Sequence, residues 1–269
     1  MNRLSLLLLS WILTSASVAA PEADLWERWA AHDTESTRTI SHQLWNDFLA
    51  RYVSKHPDGI NRVAYQKVSD SDRKHLKSYL HQSSQINIST YNREEQLAYW
   101  INLYNALTLN LILEHLPVSS IREIKSGLFS SGPWGKKLIS VEAQQLTLND
   151  IEHRVLRPIW RDPRIHYAVN CASVGCPNLQ LRAYTPANNE HLLEQAARDF
   201  INHPRGVKVV GNSIVASEIY SWFQEDFGAS EKQVIEHFRQ YANPQLQAQL
   251  SNITRIDSYQ YDWNLNQSN

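Results

Sequence analysis

The chain contains the segment Leu97-Ala98-Tyr99-Trp100-Ile101-Asn102-Leu103-Tyr104-Asn105-Ala106-Leu107-Thr108-Leu109-Asn110-Leu111-Ile112-Leu113, which is apolar on nearly every face of a helix. Asn92 precedes it with Glu95 three residues later, a spacing close to a capping box, and Pro117 follows it. A helix that is apolar all round is buried rather than amphipathic. We therefore predict a buried central helix over residues 92–116, against which the rest of the chain packs.

Two asparagines, Asn102 and Asn105, interrupt this helix at a three-residue spacing that places them on one face. A buried amide has to be hydrogen-bonded, because leaving it unpaired costs about 1–3 kcal/mol. Either the two amides tie a neighbouring loop to the helix, or they line a binding pocket. We expect this face to pack against residues 166–176, with Glu152 and His153 nearby.

The segments around the central helix alternate between helical and extended patterns. Helices are predicted over residues 41–52, around 76–80, and over 147–156, 185–200, 217–227 and 230–241. Hairpins are predicted over 137–146 and 207–216, and a strand over 165–171. Without repeats or Pro/Gly-rich linkers, the pattern predicts a single α+β domain with a small, mainly antiparallel sheet.

The first residues have the pattern of an export signal. Arg3 is followed by an apolar run over residues 4–13 and then by small residues up to Ala20. The run is shorter than the roughly 20 apolar residues that span a bilayer, although a retained membrane anchor is the alternative. We predict a signal peptide over residues 1–19, a mature domain over 20–269 without a transmembrane segment, and a periplasmic or secreted location.

Composition excludes several classes of protein. Apolar residues make up 42% of the chain and nine residues are tryptophan, which argues against disorder. The formal charge is −1 and the pI is about 6.8, so no basic excess is available for binding nucleic acid. We predict no cofactor and no nucleic-acid partner. The expected partner is a small molecule, a peptide or another ligand of the cell envelope.

Both cysteines of the chain, Cys171 and Cys176, lie a few residues after His166. A Cys171–Cys176 disulfide is one interpretation, and it suits an exported protein. A reactive Cys171 at the point where a strand turns into a loop is a second. A metal site is the weakest, because the pair lacks the C-x-x-C spacing of zinc sites, and we predict no metal.

A reactive Cys171 needs a base to remove its proton. His166 and His153 are the candidates, with Glu152 or an asparagine to orient the imidazole. A strand over 165–171 places His166 and Asn170 on one face and Cys171 on the other, unless the strand ends or bulges before the cysteine. Glu152, His153 and Arg157 fall on a predicted helix, where a solvated helix face is the alternative. Asn170, Ser173 and Arg157 complete the candidate binding residues.

Several long motifs occur in a defined order along the chain. They are residues 97–108, 117–121, 133–134, 150–158, 162–177, 220–223 and 261–266. In these motifs the chain resembles the family called domain of unknown function 547, with the family core at about residues 90–202. The resemblance implies a distant likeness to papain- and transglutaminase-like folds, in which a cysteine begins a buried helix and a histidine opens a nearby strand. Here His166 suits the strand position, whereas the central helix carries asparagines and no cysteine.

Members of the family are fused to thiol-redox modules in some organisms. Because Cys, His, Glu and Asn converge in the family-like segments, we predict an exported, cysteine-dependent hydrolase or acyltransferase. The alternative is a non-catalytic binding or assembly module of the envelope, with a structural Cys171–Cys176 pair and surface aromatics such as Trp134, Trp160 and Trp222.

Overall fold

The computed structural model describes residues 21–125, 127 and 130–268, and it has the predicted α+β architecture. The predicted signal peptide, residues 1–19, lies outside the described residues. The helices are α1 Gln43–Tyr52, α2 Asp70–Ser84, α3 Arg93–His115, α4 Leu148–Ile151, α5 Arg157–Trp160, α6 Ile165–Ala168, α7 Asn189–Ile201, α8 Ile219–Trp222, α9 Glu231–Tyr241 and α10 Pro244–Leu250. A π-helical turn, Glu152–Leu156, joins α4 to α5.

The strands form small sheets that are mainly antiparallel, as predicted. They are β1 Val53–Ser54, β2 Arg62–Val63, β3 Ile139–Val141, β4 Gln144–Leu146, β5 Val207–Val210, β6 Ser213–Ser217 and β7 Ile256–Gln260. The pairs β1–β2, β3–β4 and β5–β6 are antiparallel, which confirms both predicted hairpins. Strand β7 pairs with β6 in parallel, so the C-terminal segment returns along the sheet.

Helix α3 is the predicted buried central helix. The Asn92 side chain accepts a hydrogen bond from the Glu95 amide and caps its N-terminus. From Ala98 to Leu109 every side chain is buried. Helix α2 and the β3–β4 hairpin share a core with α3, which gives its nearly uniform apolar surface a partner on several sides.

A second core cluster lies around α9 and the β5–β6–β7 sheet. The short helix α6 contributes to both clusters, since Ile165 and Ala168 belong to the first and Tyr167 to the second. The chain therefore passes between the two clusters immediately before the cysteine segment.

The predicted strand over residues 165–171 is wrong, because α6 occupies its first half. The Asp162 carboxylate accepts the Arg164 amide at 2.8 Å, and the Asp162 carbonyl accepts the Ile165 amide at 3.1 Å. This side-chain turn starts a helix that ends at Ala168, after which Val169 is extended. The pattern of a short run of buried apolar residues does not distinguish a helix from a strand, so the sequence did not reveal this helix.

Two predicted helices are shorter than expected. The helix predicted from residue 185 begins at Asn189, because the Asn188 side chain accepts the Thr185 amide at 2.8 Å and holds residues 185–188 in a turn. Within residues 217–227 only α8 is α-helical, and the chain then continues through turns to Gly228, whose φ is +124°.

No helix in residues 21–125, 127 and 130–268 is long and apolar enough to cross a membrane.

Candidate functional site

The central helix fixes the start of the cysteine segment through Asn105. Its Nδ2 donates to the Ala168 carbonyl at 2.9 Å, and its Oδ1 accepts the Asn170 amide at 2.8 Å. Both hydrogen bonds are buried, so they act without competition from water. This confirms the predicted contact between Asn105 and residues 166–176.

Asn102 was expected to do the same and does not. Its amide donates to the Tyr184 carbonyl at 2.8 Å and accepts the Tyr184 amide at 3.0 Å. Each asparagine thus uses both ends of its amide on one segment: Asn102 binds Tyr184, and Asn105 binds the turn from Ala168 to Asn170. The two residues share a helix face but not a partner, and both are structural ties.

Asn170 closes the loop that carries the thiols. Its Nδ2 donates to the Pro177 carbonyl at 2.6 Å, and its Oδ1 accepts the Ala172 amide at 2.8 Å. Ala172 has a φ of +61°, a left-handed conformation that lets the chain reverse immediately after Cys171. The predicted binding residue Asn170 therefore shapes the loop rather than facing an open site.

The C-terminal segment covers this loop as an added strand. Val174 donates to the Asn264 carbonyl and Gly175 to the Asp262 carbonyl, both at 2.8 Å, and Asn266 donates to Ala172. Gly175 is required here, because a Cβ at this position would lie 2.7 Å from the Asp262 backbone nitrogen. The close approach brings Tyr261 onto the thiols.

The two thiols are free and lie next to each other, with 3.1 Å between Sγ of Cys171 and Sγ of Cys176. The Cys171 amide also donates to Sγ of Cys176 at 3.0 Å. Around Sγ of Cys171 stand the Ser173 hydroxyl at 3.2 Å and the Tyr261 hydroxyl at 3.0 Å. We call Cys171, Cys176, Ser173 and Tyr261 the thiol cluster.

The two thiols differ in accessibility and in acidity. Cys171 is half-buried, whereas Cys176 is 5% exposed. Hydrogen bonding from the Cys176 thiol, supported by the Ser173 and Tyr261 hydroxyls, lowers the pKa of Cys171 to about 7 against burial, which opposes ionisation. Burial, reinforced by the neighbouring Cys171, raises the pKa of Cys176. Cys171 is therefore the thiol that ionises first and that a reagent can reach.

Arg205 brings a positive charge near the thiol loop. Its guanidinium donates to the Val174 carbonyl at 3.0 Å and to the Asn178 side chain at 2.7 Å. Burial lowers the pKa of Arg205 to about 10, partly offset by its attraction to Cys176 and Tyr261. The arginine remains charged near neutral pH and favours a thiolate in this loop.

The predicted histidines and acids form a separate group around His166 of α6. Nε2 of His166 lies 2.6 Å from the Asp226 carboxylate, and Nδ1 of His166 lies 3.8 Å from the Glu152 carboxylate. The Arg157 guanidinium binds the same Asp226 oxygen at 2.5 Å and approaches Nδ1 of His153 to 3.1 Å. We call these five residues the imidazole cluster.

In the imidazole cluster, the Asp226 carboxylate lies next to positively charged or protonatable groups of the same cluster. Its members are buried except Asp226, whose side chain is 23% exposed. Burial opposes ionisation of Asp226, but hydrogen bonds from His166 and Arg157 outweigh it and lower the pKa of that carboxyl. Burial lowers the pKa of His153. Phe223 stacks on the His166 ring at a centroid distance of 4.1 Å and closes one face of it.

Neither predicted base hydrogen-bonds to Cys171 within the described part of the chain. His166 is committed to Asp226, and His153 is committed to Arg157, so the expected Cys–His pair is not assembled. The link between the two clusters is Tyr104 on α3. Burial, followed by the Glu152 carboxylate and the two thiols, raises the pKa of Tyr104. Groups of both clusters thus contribute to the raised pKa of the Tyr104 hydroxyl.

Sequence reasoning named Trp134 and Trp222 as surface aromatics but did not place them, with Tyr261 and Trp263, beside Cys171. The Tyr261 ring lies 4.9 Å from Trp222 and 4.6 Å from Trp263 between centroids, and Trp263 lies 5.8 Å from Trp134. All four rings are half-buried. We call Trp134, Trp222, Tyr261 and Trp263 the aromatic strip. The signal was the recurrence of aromatics in distant motifs, which predicts proximity only once the C-terminal segment is known to return.

A cavity of about 830 Å³ lies elsewhere, between α2, α3 and the β3–β4 hairpin. Its walls include Leu107 and Leu111 of α3 together with Lys136 and Glu142, and none of the thiol cluster lines it. Among the described residues, no three His, Cys, Asp or Glu side chains are grouped so that they could hold a metal ion. The groups found around the cysteine segment are the thiols, the hydroxyls next to them and Arg205.

Comparison with known proteins gives one match. No curated protein and no solved structure matches the chain. A family model, described as a protein of unknown function, DUF547, matches residues 88–201, close to the core expected from the sequence. The match covers α3, the imidazole cluster apart from Asp226, and both cysteines, but not Tyr261 or Trp263. The segment that carries the two thiols and the central helix is therefore similar to the DUF547 family of proteins of unknown function.

Proposed function

We propose that the protein is an exported, cysteine-dependent enzyme in which Cys171 is the nucleophile and Cys176 its partner thiol. The observation that carries the proposal is the 3.1 Å separation of the two sulfurs, with the pKa lowered at the accessible one. A thiolate is the reactive form of cysteine, and a pKa near the ambient pH is optimal for an attacking thiol. The remaining question is which electrophile Cys171 attacks.

The surroundings of Cys171 favour a disulfide as the electrophile over an ester or amide. A cysteine-dependent hydrolase or acyltransferase, the activity that the sequence predicts, needs an acid–base group to protonate the leaving group. Both candidate imidazoles bind other residues. Thiol–disulfide exchange needs no imidazole, since a thiolate leaving group departs without prior protonation, and it does need a second thiol close to the first.

In this reaction the Cys171 thiolate attacks one sulfur of a substrate disulfide. A bond forms between Sγ of Cys171 and that sulfur, the substrate S–S bond breaks, and the released thiolate takes a proton from solvent. Cys176 then loses its proton and attacks Sγ of Cys171. The Cys171–Cys176 disulfide forms, and the second substrate thiolate leaves and is protonated. The substrate disulfide is reduced to two thiols while the protein dithiol is oxidised.

The loop supports both steps. The Ser173 and Tyr261 hydroxyls stabilise a thiolate at Cys171 through hydrogen bonds that are stronger to the charged form. The Cys176 sulfur is shielded from solvent and faces Cys171, the position of a resolving thiol. The disulfide predicted as a structural alternative is, in this scheme, one of two states of the same pair.

The direct test uses the reduced full-length protein and a small disulfide, bis(2-hydroxyethyl) disulfide. We expect the wild type to be oxidised to an intramolecular disulfide, with a rate that rises with pH through about 7 as Cys171 ionises. Cys176→Ser should accumulate the mixed disulfide at Cys171, because the resolving thiol is missing. Cys171→Ser should form neither product at a comparable rate.

Two outcomes would overturn the proposal. One is a Cys171 that reacts no faster than a cysteine in the denatured chain, and the other is a Cys176→Ser variant that forms no mixed disulfide. Turnover of ester or thioester substrates that depends on both Cys171 and His166 would instead support the hydrolase or acyltransferase activity.

A second candidate function is a non-catalytic binding or assembly module of the cell envelope. The observation that favours it is the aromatic strip, whose half-buried rings resemble the aromatic-rich centres of binding surfaces. Ligand-dependent thermal stabilisation that persists unchanged in Cys171→Ser, without any exchange activity in the wild type, would favour this function over the enzymatic one.

A further inference from the structure

We infer that the aromatic strip is the docking surface for a polypeptide disulfide whose residues next to the attacked cysteine are aromatic or large and apolar. The inference rests on the proposed thiol–disulfide exchange and names its substrate class. One residue of the strip lies next to the reactive sulfur.

Tyr261 belongs to both the thiol cluster and the aromatic strip. Its hydroxyl lies 3.0 Å from Sγ of Cys171, while its ring lies 4.6 Å from Trp263 and 4.9 Å from Trp222. The first ring of the strip is therefore that of Tyr261, and the strip begins next to the reactive sulfur. In an extended chain, which advances about 3.3 Å per residue, a residue adjacent to a bound cysteine would reach the strip.

The strip is long enough to favour a polypeptide over a small disulfide. From Trp222 the rings continue through Trp263 to Trp134, with neighbouring centroids 5.6 and 5.8 Å apart. A small disulfide bound at Cys171 extends no groups beyond Tyr261, so it leaves these tryptophans uncovered. A chain of several residues covers them, and aromatic partners add stacking to the apolar burial.

The packing of the strip leaves surface available for a partner. Trp134 and Trp263 pack on the first core cluster, whereas Trp222 and Tyr261 pack on the second. One side of each ring thus contributes to folding, and the half-buried state leaves another side to solvent. Large rigid side chains that are held in place in this way lose little conformational entropy when a partner binds.

The charge beside the strip points to the same occupant. The exposed Arg122 guanidinium lies 5.1 Å from the Trp263 ring centroid, so it places a positive charge beside the strip. A peptide with an acidic residue beyond the aromatic one would complement this charge. The substrate class is therefore a disulfide-bonded polypeptide with an aromatic or apolar flank followed by an acidic group.

The test compares three disulfide substrates with the reduced full-length protein. Two are synthetic peptides with the same disulfide, flanked by Phe or by Ala, each with Glu further along, and the third is bis(2-hydroxyethyl) disulfide. We expect the Phe peptide to react at least about tenfold faster than the Ala peptide, as measured by the second-order rate of protein oxidation. That ratio is about 1.4 kcal/mol of transition-state binding.

Variants of the strip separate docking from the chemistry. Trp222→Ala and Trp263→Ala should remove most of the Phe preference, measured as the ratio of the rates with the two peptides, so that a change in the reactivity of Cys171 itself cancels. Trp160→Ala is the matched control, because Trp160 is a half-buried tryptophan outside the strip that packs near Arg93. It should retain the full preference. Circular dichroism of each variant establishes that it is folded, and Trp→Leu replacements serve where the alanine variant is not.

The possible failures are distinguishable. Equal rates for the Phe and Ala peptides, or a Phe preference that survives both strip substitutions, would refute the docking inference while leaving the exchange reaction intact. No reaction of Cys171 with any of the three disulfides would refute the exchange reaction itself.

Discussion

The thiol cluster and the imidazole cluster divide between them the nucleophile and the imidazole that a cysteine hydrolase normally keeps together. The thiol cluster has a nucleophile with a lowered pKa and no imidazole, and its hydrogen-bond donors are hydroxyls and a thiol. The imidazole cluster has two imidazoles, two carboxylates and an arginine, and no nucleophile. The nucleophile therefore lies in one region, and the imidazoles with their carboxylates lie in another.

This division has an electrostatic reason. In the imidazole cluster, a buried arginine and a carboxylate compensate each other at 2.5 Å, and the histidines are held against them. This buried pair is costly to break, because removing either partner leaves the other charge uncompensated. In the thiol cluster the ionised form of Cys171 is stabilised mainly by neutral donors, so the sulfur keeps its nucleophilicity for a substrate. Burial, and then groups of both clusters, raise the pKa of Tyr104, so this residue of α3 lies within electrostatic reach of both.

The largest effect expected from this division is on activity. Cys171→Ser should lower the rate of exchange with bis(2-hydroxyethyl) disulfide by at least about 10³-fold, since it removes the attacking group. His166→Gln should leave that rate within a few-fold of wild type, because His166 contacts Asp226 and not the thiol. Stopped-flow measurement of both variants at one pH decides the matter. A loss in His166→Gln as large as that in Cys171→Ser would show that the two clusters act as one catalytic unit.

The second effect is on stability, and it belongs to the imidazole cluster. Asp226→Asn should lower the free energy of unfolding by about 2–4 kcal/mol, because Arg157 then stays buried without a carboxylate. The matched control is Glu190→Gln, which removes a carboxylate that also binds an arginine but whose side chain is 79% exposed. Urea denaturation should show a change below about 0.5 kcal/mol for the control. Equal losses for the two variants would mean that burial does not distinguish the pairs.

A third, smaller effect concerns Asn105, which holds the chain between the two clusters. Asn105→Leu should destabilise the protein by about 1–3 kcal/mol, since the Ala168 carbonyl and the Asn170 amide lose their buried partner. Urea denaturation measures it. Asn202→Leu is a useful comparison, because the Asn202 amide also binds backbone groups but is only half-buried, and the loss there should be smaller. A neutral Asn105→Leu would show that another group takes over the role.

The central helix and its Asn105 contact were predictable because they follow from one physical rule. A helix that is apolar all round is buried, and a buried amide must be paired. The partner of Asn102 was not predictable, since helix geometry gives the face and not the distance along it to the next segment. The separation of His166 from Cys171 was missed because residues 165–171 carry no alternation that distinguishes helix from strand, and the Asp162 turn decided the outcome.

The surroundings of Cys171 were the hardest part to predict. Ser173 is near in sequence and was a candidate, but Tyr261 arrives from the C-terminal segment, 90 residues away along the chain. Its approach depends on the parallel β6–β7 pairing and on a glycine at position 175. Patterns in a single sequence do not show that these two features bring Tyr261 to Cys171. Long-range contacts of this kind are set by packing of the whole chain, whereas local patterns report only neighbours.

The smallest expected effect is the most specific to the thiol cluster. Tyr261→Phe removes a hydroxyl that donates to the Cys171 thiolate, so the charged form loses stabilisation and the pKa of Cys171 should rise from about 7 by less than one unit. One pKa unit is about 1.4 kcal/mol, near the value of a single hydrogen bond to a charged group. At pH 7 the thiolate fraction should then fall from about one half to about one fifth. The pH dependence of thiolate ultraviolet absorbance in the wild type and in Tyr261→Phe measures this directly, because burial keeps the pKa of Cys176 well above that of Cys171. Ser173→Ala should act in the same direction. His166→Gln should leave the titration unmoved. If the Cys171 titration ignores Tyr261→Phe and shifts with His166→Gln, the imidazole cluster rather than the hydroxyls controls the thiol, and the division between the two regions fails.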